Sequence, residues 1–291
     1  MYLFDSLIKP IILYASGFWA TLKLPQNTPV ELLHRKFCKQ LLGVNLQTTN
    51  NAVYLELGRL PLEIYAKKNA AKNWDRIYLQ QTGNELLLAS CNTPFENNWI
   101  STVKNTFEKV DMLDTFLNEN PSDTTTPFSA LFNREKDIFI QTAFESIQNM
   151  SKMQTYKFLK QNWKIEDYLL QVENIKNRTA LSKLRLSDHT LAIEKGRHQN
   201  INQSDRKCPF CPEEVENELH FLIKCPTYKF LRKNLFDDIS VLCIGFFYPP
   251  DEKFLIWFLL NNPIISESTA KYIKLSIELR ASLLENHRNW K

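Results

Sequence analysis

Apolar positions recur at helical spacing through most of this chain. From Val30 to Leu42 they fall on one face with basic residues opposite, which predicts a helix that starts at Thr28-Pro29 and stops at Gly43. A shorter helix is expected from Asn51 to Leu57, ending near Gly58, and Pro61 opens a long one through about Gln81. Three or four amphipathic segments follow between Asn97 and Asn162. The run Pro121-Ser122-Asp123-Thr124-Thr125-Thr126-Pro127 breaks them. A helical tail spans Asp251 to Lys291, interrupted at Asn262-Pro263. There is no repeat of fixed period and no low-complexity tract. The pattern defines a mainly α protein.

Composition agrees with that pattern. Only six glycines occur in 291 residues, too few for a turn-rich β fold, and 44% hydrophobic against 23% charged residues is the balance of a chain with a real core. The length allows one large domain or two to three small ones. The apolar opening Ile11–Leu22 has no basic lead and is approached through Asp5, Lys9 and Pro10, so it reads as a buried helix rather than a signal peptide. Phe254–Leu260 is far short of the ~20 residues that span a bilayer. The expectation is an intracellular chain, nuclear or cytoplasmic.

The net charge of +4 is mild, but it is not evenly spread. Residues 176–233 hold twelve Lys and Arg against seven Asp and Glu, so this segment carries +5 and the remainder −1. Three of the six cysteines lie in the same region. The others, Cys38, Cys91 and Cys243, sit singly among apolar neighbours and read as buried thiols.

The clustered ligands are Cys208-Pro209-Phe210-Cys211, then His220 after eight residues, then Cys225 after four more. Two thiols two residues apart chelate one ion from a tight turn, and a His-x4-Cys pair completes a tetrahedron. Three thiolates and an imidazole suit zinc better than magnesium or calcium, and four protein ligands leave no open position, so the site is expected to be structural. Two unrelated buried cysteines would explain a lone Cys-x-x-Cys, but not the added His and Cys. A redox pair at Cys208 and Cys211 would need a βαβ context that the pattern lacks.

Basic and aromatic residues crowd around this cluster. Lys and Arg neutralise phosphates and aromatic faces stack unpaired bases, which makes Lys183, Arg185, Lys195, Arg197, Arg206, Lys207, Tyr228, Lys229, Arg232 and Lys233 candidate contacts to RNA or single-stranded DNA. Phe230 is an alternative stacking residue. The acids Glu213, Glu214, Glu216 and Glu218 inside the motif should face away from any nucleic acid. On the helix after Pro226, Lys229, Arg232 and Lys233 share one side and Leu231 and Leu235 the other. A solvated helix face accounts for the same charges.

These residues resemble a known family. Ser182-Lys183-Leu184-Arg185-Leu186-Ser187-Asp188-His189 with Glu194-Lys195-Gly196-Arg197 is similar to the segment before the terminal zinc knuckle of non-LTR retrotransposon reverse transcriptases. The Cys-Pro-x-Cys, Val215-Glu216-x-Glu218-x-His220-Phe221-Leu222 and Cys225-Pro226-x-Tyr228 that follow are similar to the knuckle itself. Ile12-Leu13-Tyr14-Ala15-Ser16, Trp19, Lys36-Phe37-Cys38-Lys39 and Glu56-Leu57-Gly58-Arg59-Leu60-Pro61-Leu62 resemble the region past the polymerase palm. Residues 65–175 match only in character. The resemblance implies a thumb-like helical segment at 1–60, a helical connector at 61–175, a zinc-knuckle subdomain with basic flanks at 176–242 and a helical tail at 243–291. It implies a fragment of an RNA-directed DNA polymerase that lies downstream of the catalytic palm.

Polymerase chemistry needs a Tyr-x-Asp-Asp turn and an upstream Asp to hold two metal ions. The nearest imitation is Phe236-Asp237-Asp238, on an apparent helix with Leu235 in place of the Tyr. Asp111 and Asp114, three apart on an expected helix, read as a solvated face. The chain alone is therefore expected to have no catalytic centre. A reading of another class remains beside this one: a helical scaffold that binds protein partners, with zinc purely structural.

Overall fold

The structure, a computed structural model, describes residues 2–23, 28–79, 99–117 and 126–289. Cys91, the far end of the helix expected through Gln81, and residues 121–125 of the Pro121–Pro127 break lie outside them. The α-helices in chain order are α1 (Lys9–Ile12), α2 (Ser16–Lys23), α3 (Pro29–Leu42), α4 (Asn50–Glu56), α5 (Leu62–Trp74), α6 (Trp99–Glu108), α7 (Leu113–Leu117), α8 (Pro127–Gln148), α9 (Gln154–Leu159), α10 (Tyr168–Gln171), α11 (Ile175–Arg185), α12 (Ala192–His198), α13 (Lys229–Leu242), α14 (Glu252–Asn261) and α15 (Ser266–Asn289). Among the described residues there is no sheet, only two isolated antiparallel bridges, Leu57 with Ile165 and Lys207 with Val215. No helix among them is long and apolar enough to cross a membrane.

The chain divides into two compact units that are discontinuous in sequence. One holds residues 1–37 and 60–145, the other residues 38–59 and 146–291. These units cut across the four-segment division drawn from the sequence, since residues 38–59 fold with the C-terminal part.

In the first unit α2 packs on α5 and α6. Its core gathers Ala70, Ala71, Trp74, Val103, Phe107 and Leu131, with Trp74 stacked on Phe116 at 4.7 Å. Pro61 gives α5 no side-chain cap, and the first helical N–H, that of Leu62, donates instead to the Glu31 carboxylate at 2.9 Å. An acid there satisfies an orphan donor and meets the positive end of the helix dipole. Asp111 is not helical. It stands in the turn between α6 and α7 with φ of 58°, so it shares no helix face with Asp114.

In the second unit α11 and α13 both pack against α15. Asn174 starts α11 by accepting from the N–H groups of Lys176 and Asn177 at 3.0 and 3.2 Å. Gly43 ends α3 at φ of 66°, and a Cβ on it would lie 2.6 Å from Thr179. Gly58 ends the next turn at φ of 59°, where a Cβ would meet the Ile165 nitrogen at 2.6 Å. Both close approaches draw residues 38–59 against the C-terminal chain. The break expected at Asn262-Pro263 is there, with a 3-10 turn at Pro263–Ile265 between α14 and α15. Cys38 is buried as expected, whereas Cys243 is only partly covered because it caps the exposed end of α13.

Candidate metal centre

The segment between Arg206 and Glu216 folds back on itself around the first ligand pair. Glu216 N–H donates to Arg206 O at 3.0 Å and Cys208 N–H to Glu214 O at 2.8 Å, closing a short hairpin. Within it Cys211 N–H reaches Cys208 O at 3.3 Å, so both thiols point from one tight turn. The second pair comes from a single wide helical turn, His220–Lys224, in which Cys225 N–H donates to His220 O at 2.7 Å. Asn217 holds the start of that turn by accepting from His220 N–H at 2.8 Å.

These turns bring one donor atom each from Cys208, Cys211, His220 and Cys225 within 4.8 Å of one another, as the sequence spacing predicts. The Cys211 and Cys225 sulfurs are 3.7 Å apart. That is far beyond a disulfide bond, and close to the separation of about 3.8 Å that two sulfurs adopt when each bonds one tetrahedral ion at about 2.3 Å. His220 is 3% exposed, and neither of its ring nitrogens has a hydrogen-bond partner. A buried imidazole with no partner is costly unless an electrophile meets it. The donor set fits one bound metal ion.

Electrostatics support the same use. Burial, with the Cys225 thiol beside it, pushes the Cys208 thiol up to about 12, and burial raises Cys211 in the same way. Burial lowers His220, which keeps the imidazole neutral and free to coordinate. Raised thiols at Cys208 and Cys211 favour the protonated form, and a bound divalent ion would displace those protons.

The centre is locked into the core of its unit. Cys208 and Cys225 belong to the same apolar cluster as Phe221, Leu222, Tyr228 and Leu235. Arg232, on the first turns of α13, donates to Leu222 O at 2.8 Å and to Cys225 O at 2.7 Å. Tyr272 donates to Leu222 O at 3.0 Å from α15. Glu216 is buried and receives a paired donation from Arg280, both bonds 2.7 Å, and a third from Ala192 N–H at 2.6 Å.

The candidate nucleic-acid contacts do not all fare alike. Lys195, Lys207, Lys229 and Lys233 are exposed, and Lys183, Arg197, Arg206 and Arg232 partly so. Arg185 is fully buried and is no surface residue. Its guanidinium donates to Glu56 Oε1 at 2.6 Å, Glu166 Oε2 at 2.6 Å, Leu260 O at 2.7 Å and Asn261 Oδ1 at 2.6 Å, and Lys160 pairs with the same Glu166. Burial alone would lower the Arg185 pKa, but the two carboxylates raise it instead, so the charge is held. Tyr228 is buried too, its ring edge-on to Phe221 at 5.0 Å, and cannot stack a base. Phe230, the alternative stacking residue, is 73% exposed. Arg232 is held by backbone carbonyls of the metal centre, and Arg197 is paired with Glu194 at 2.7 Å.

The four acids of the motif divide: Glu213 and Glu214 are exposed, and Glu216 and Glu218 are buried. Glu218 accepts from or pairs with His189 Nε2 at 3.1 Å; burial would raise its carboxyl, and the His189 ring outweighs that and lowers it. Asp237 and Asp238 lie exposed on α13.

No protein-family model, curated protein or solved structure matches this chain.

Proposed function

We propose that the Cys3His centre holds one structural zinc ion, and that the chain is the region of a non-LTR retrotransposon reverse transcriptase downstream of the palm, binding RNA or single-stranded DNA rather than polymerising it. The observation that carries the reading is a tetrahedral donor set with unpartnered imidazole nitrogens, flanked on both sides by exposed Lys195, Lys207, Lys229 and Lys233. Thiolates and imidazole favour zinc, and four ligands make the ion a brace. The brace fixes the start of α13 through Arg232, and so presents Lys229, Lys233 and Phe230 from a rigid base.

Purified chain should carry one zinc by elemental analysis and bind a short single-stranded RNA with a strong salt dependence. Lys229→Ala with Lys233→Ala should flatten the slope of log K against log salt by about 1.4. No primer extension is expected with magnesium or manganese, because this reading assigns no carboxylate pair to the chain. Binding without salt dependence would sink the nucleic-acid reading.

A scaffold that binds protein is the second reading, and it has its own support. In the last turn of α13 and just past it, Val241 is 79% exposed, Ile244 99% and Phe247 77%, an apolar stretch without charge. Pull-down that survives high salt and is lost on Ile244→Asp with Phe247→Asp would favour it.

A further inference from the structure

Beside the metal centre the second unit holds a groove of about 690 Å³, walled by α12, by the loop from Ile201 to Pro209 and by the last turns of α15. We propose that this groove seats one or two nucleotides of a single strand, phosphate at Lys195 and Lys207 and base on the apolar floor. The inference rests on the nucleic-acid reading above and gathers three of its candidate cations, Lys195, Arg206 and Lys207, into one groove.

The volume is that of a small-ligand site, and a duplex cannot enter it. Its charge is uneven in a useful way. The Lys195 ammonium meets no hydrogen-bond or ion-pair partner among the described residues, its backbone N–H alone donating, to Leu191 O at 3.0 Å. Lys207 donates only to a backbone carbonyl, that of Glu213, at 3.0 Å. Arg206 likewise donates to Ile201 O and Ile193 O, at 3.0 and 2.9 Å. Carbonyls orient these cations without cancelling them, so all three charges remain to meet phosphate. Arg280 also lines the groove, but the buried Glu216 neutralises it and makes it wall. The groove's own carboxylates, Asp205 and Glu285, oppose an anion, so the cationic side is the Lys195 to Lys207 edge.

The floor is apolar. Ile201, Pro209 and Leu284 line the space and offer a base apolar contact without hydrogen-bond selection. Pro209 lies between the first two metal ligands and Lys207 immediately precedes them, so the ion sets the position of this wall.

The test uses the full zinc-loaded chain and a short fluorescein-labelled single-stranded RNA, read by anisotropy across a salt series. Ala281 is exposed on the groove wall, so Ala281→Trp fills the space without touching the core, and circular dichroism checks the fold. It should weaken binding about ten-fold, since the filled groove no longer seats the base. Lys195→Ala with Lys207→Ala should flatten the salt slope by about 1.4. Asp205→Asn with Glu285→Gln should tighten binding. Wild-type affinity in both Ala281→Trp and the double lysine variant, with loss in Lys229→Ala and Lys233→Ala, overturns the groove and leaves the nucleic-acid reading standing. No salt-dependent binding by the wild-type chain overturns both.

Discussion

The guanidinium of Arg185 and the imidazole of His220 are buried in the same unit, and they differ in what meets them. Arg185 finds a partner for each of its N–H groups: two carboxylates, a backbone carbonyl and an amide oxygen. His220 has no partner for either nitrogen. Both kinds of group are expensive to bury. The first cluster is complete within the chain, and the second has the donor set that one metal ion would complete. On the function proposed above, protein sequence alone supplies the stability of one and metal supply that of the other. The predictions follow from that difference.

Stripping the metal should have the largest effect. Structural zinc supplies folding free energy directly, and its removal should destabilise the second unit by on the order of 5 kcal/mol or more. Denaturant melts with and without a chelator measure this, and equal midpoints would show that the centre holds no ion that matters. Acid should act in the same direction: the thiols sit above their ordinary values, so protons compete for the sulfurs and metal affinity falls as pH falls.

Arg185→Ala should come next, at about 3–5 kcal/mol, because it leaves Glu56 and Glu166 buried without their main partner. Zinc content should not change. A loss below about 1 kcal/mol would place this residue at the surface after all. Glu216→Gln should cost about 1–3 kcal/mol, since the amide cannot receive both Arg280 bonds.

The smallest effect belongs to an ion pair in the first unit. Lys67 lies between Glu63 and Glu135, at 3.1 and 2.8 Å; burial lowers its pKa, but the carboxylates outweigh that and raise it. Its contribution is therefore present below the unfolded value of about 10.4 and lost as pH rises through the folded one. Lys67→Met should flatten the alkaline end of the stability profile by less than about 1 kcal/mol.

How much of this was legible depended on distance along the chain. The metal ligands fall within eighteen residues, and their spacing is a local chemical pattern, so the reading found all four. Helix stops at Gly43 and Gly58 were local as well. Arg185 was misread because a basic residue on a helix looks the same whether water or a distant carboxylate faces it. Glu56 lies 129 residues away. A signal did exist: Glu56 follows the apolar run Ala52-Val53-Tyr54-Leu55, and an acid within an otherwise buried helix needs a cation. The partners of Glu216 and Glu218, Arg280 and His189, were out of local reach in the same way. The groove needed α12, the hairpin and α15 brought together, which no local pattern encodes.

The reach of Arg185 also sets a timetable for synthesis. Glu56 leaves the ribosome long before Arg185, and Arg185 before Leu260 and Asn261, so the ionic cluster can close only once Asn261 has been made. At 5–20 residues per second, Glu56 waits on the order of ten to forty seconds. During that interval residues 38–59 have no finished unit to join, while residues 60–145, inserted between the two parts of that unit, are already available to the first. Helices α11 to α15 thus complete a unit whose first segment, residues 38–59, was made well before them.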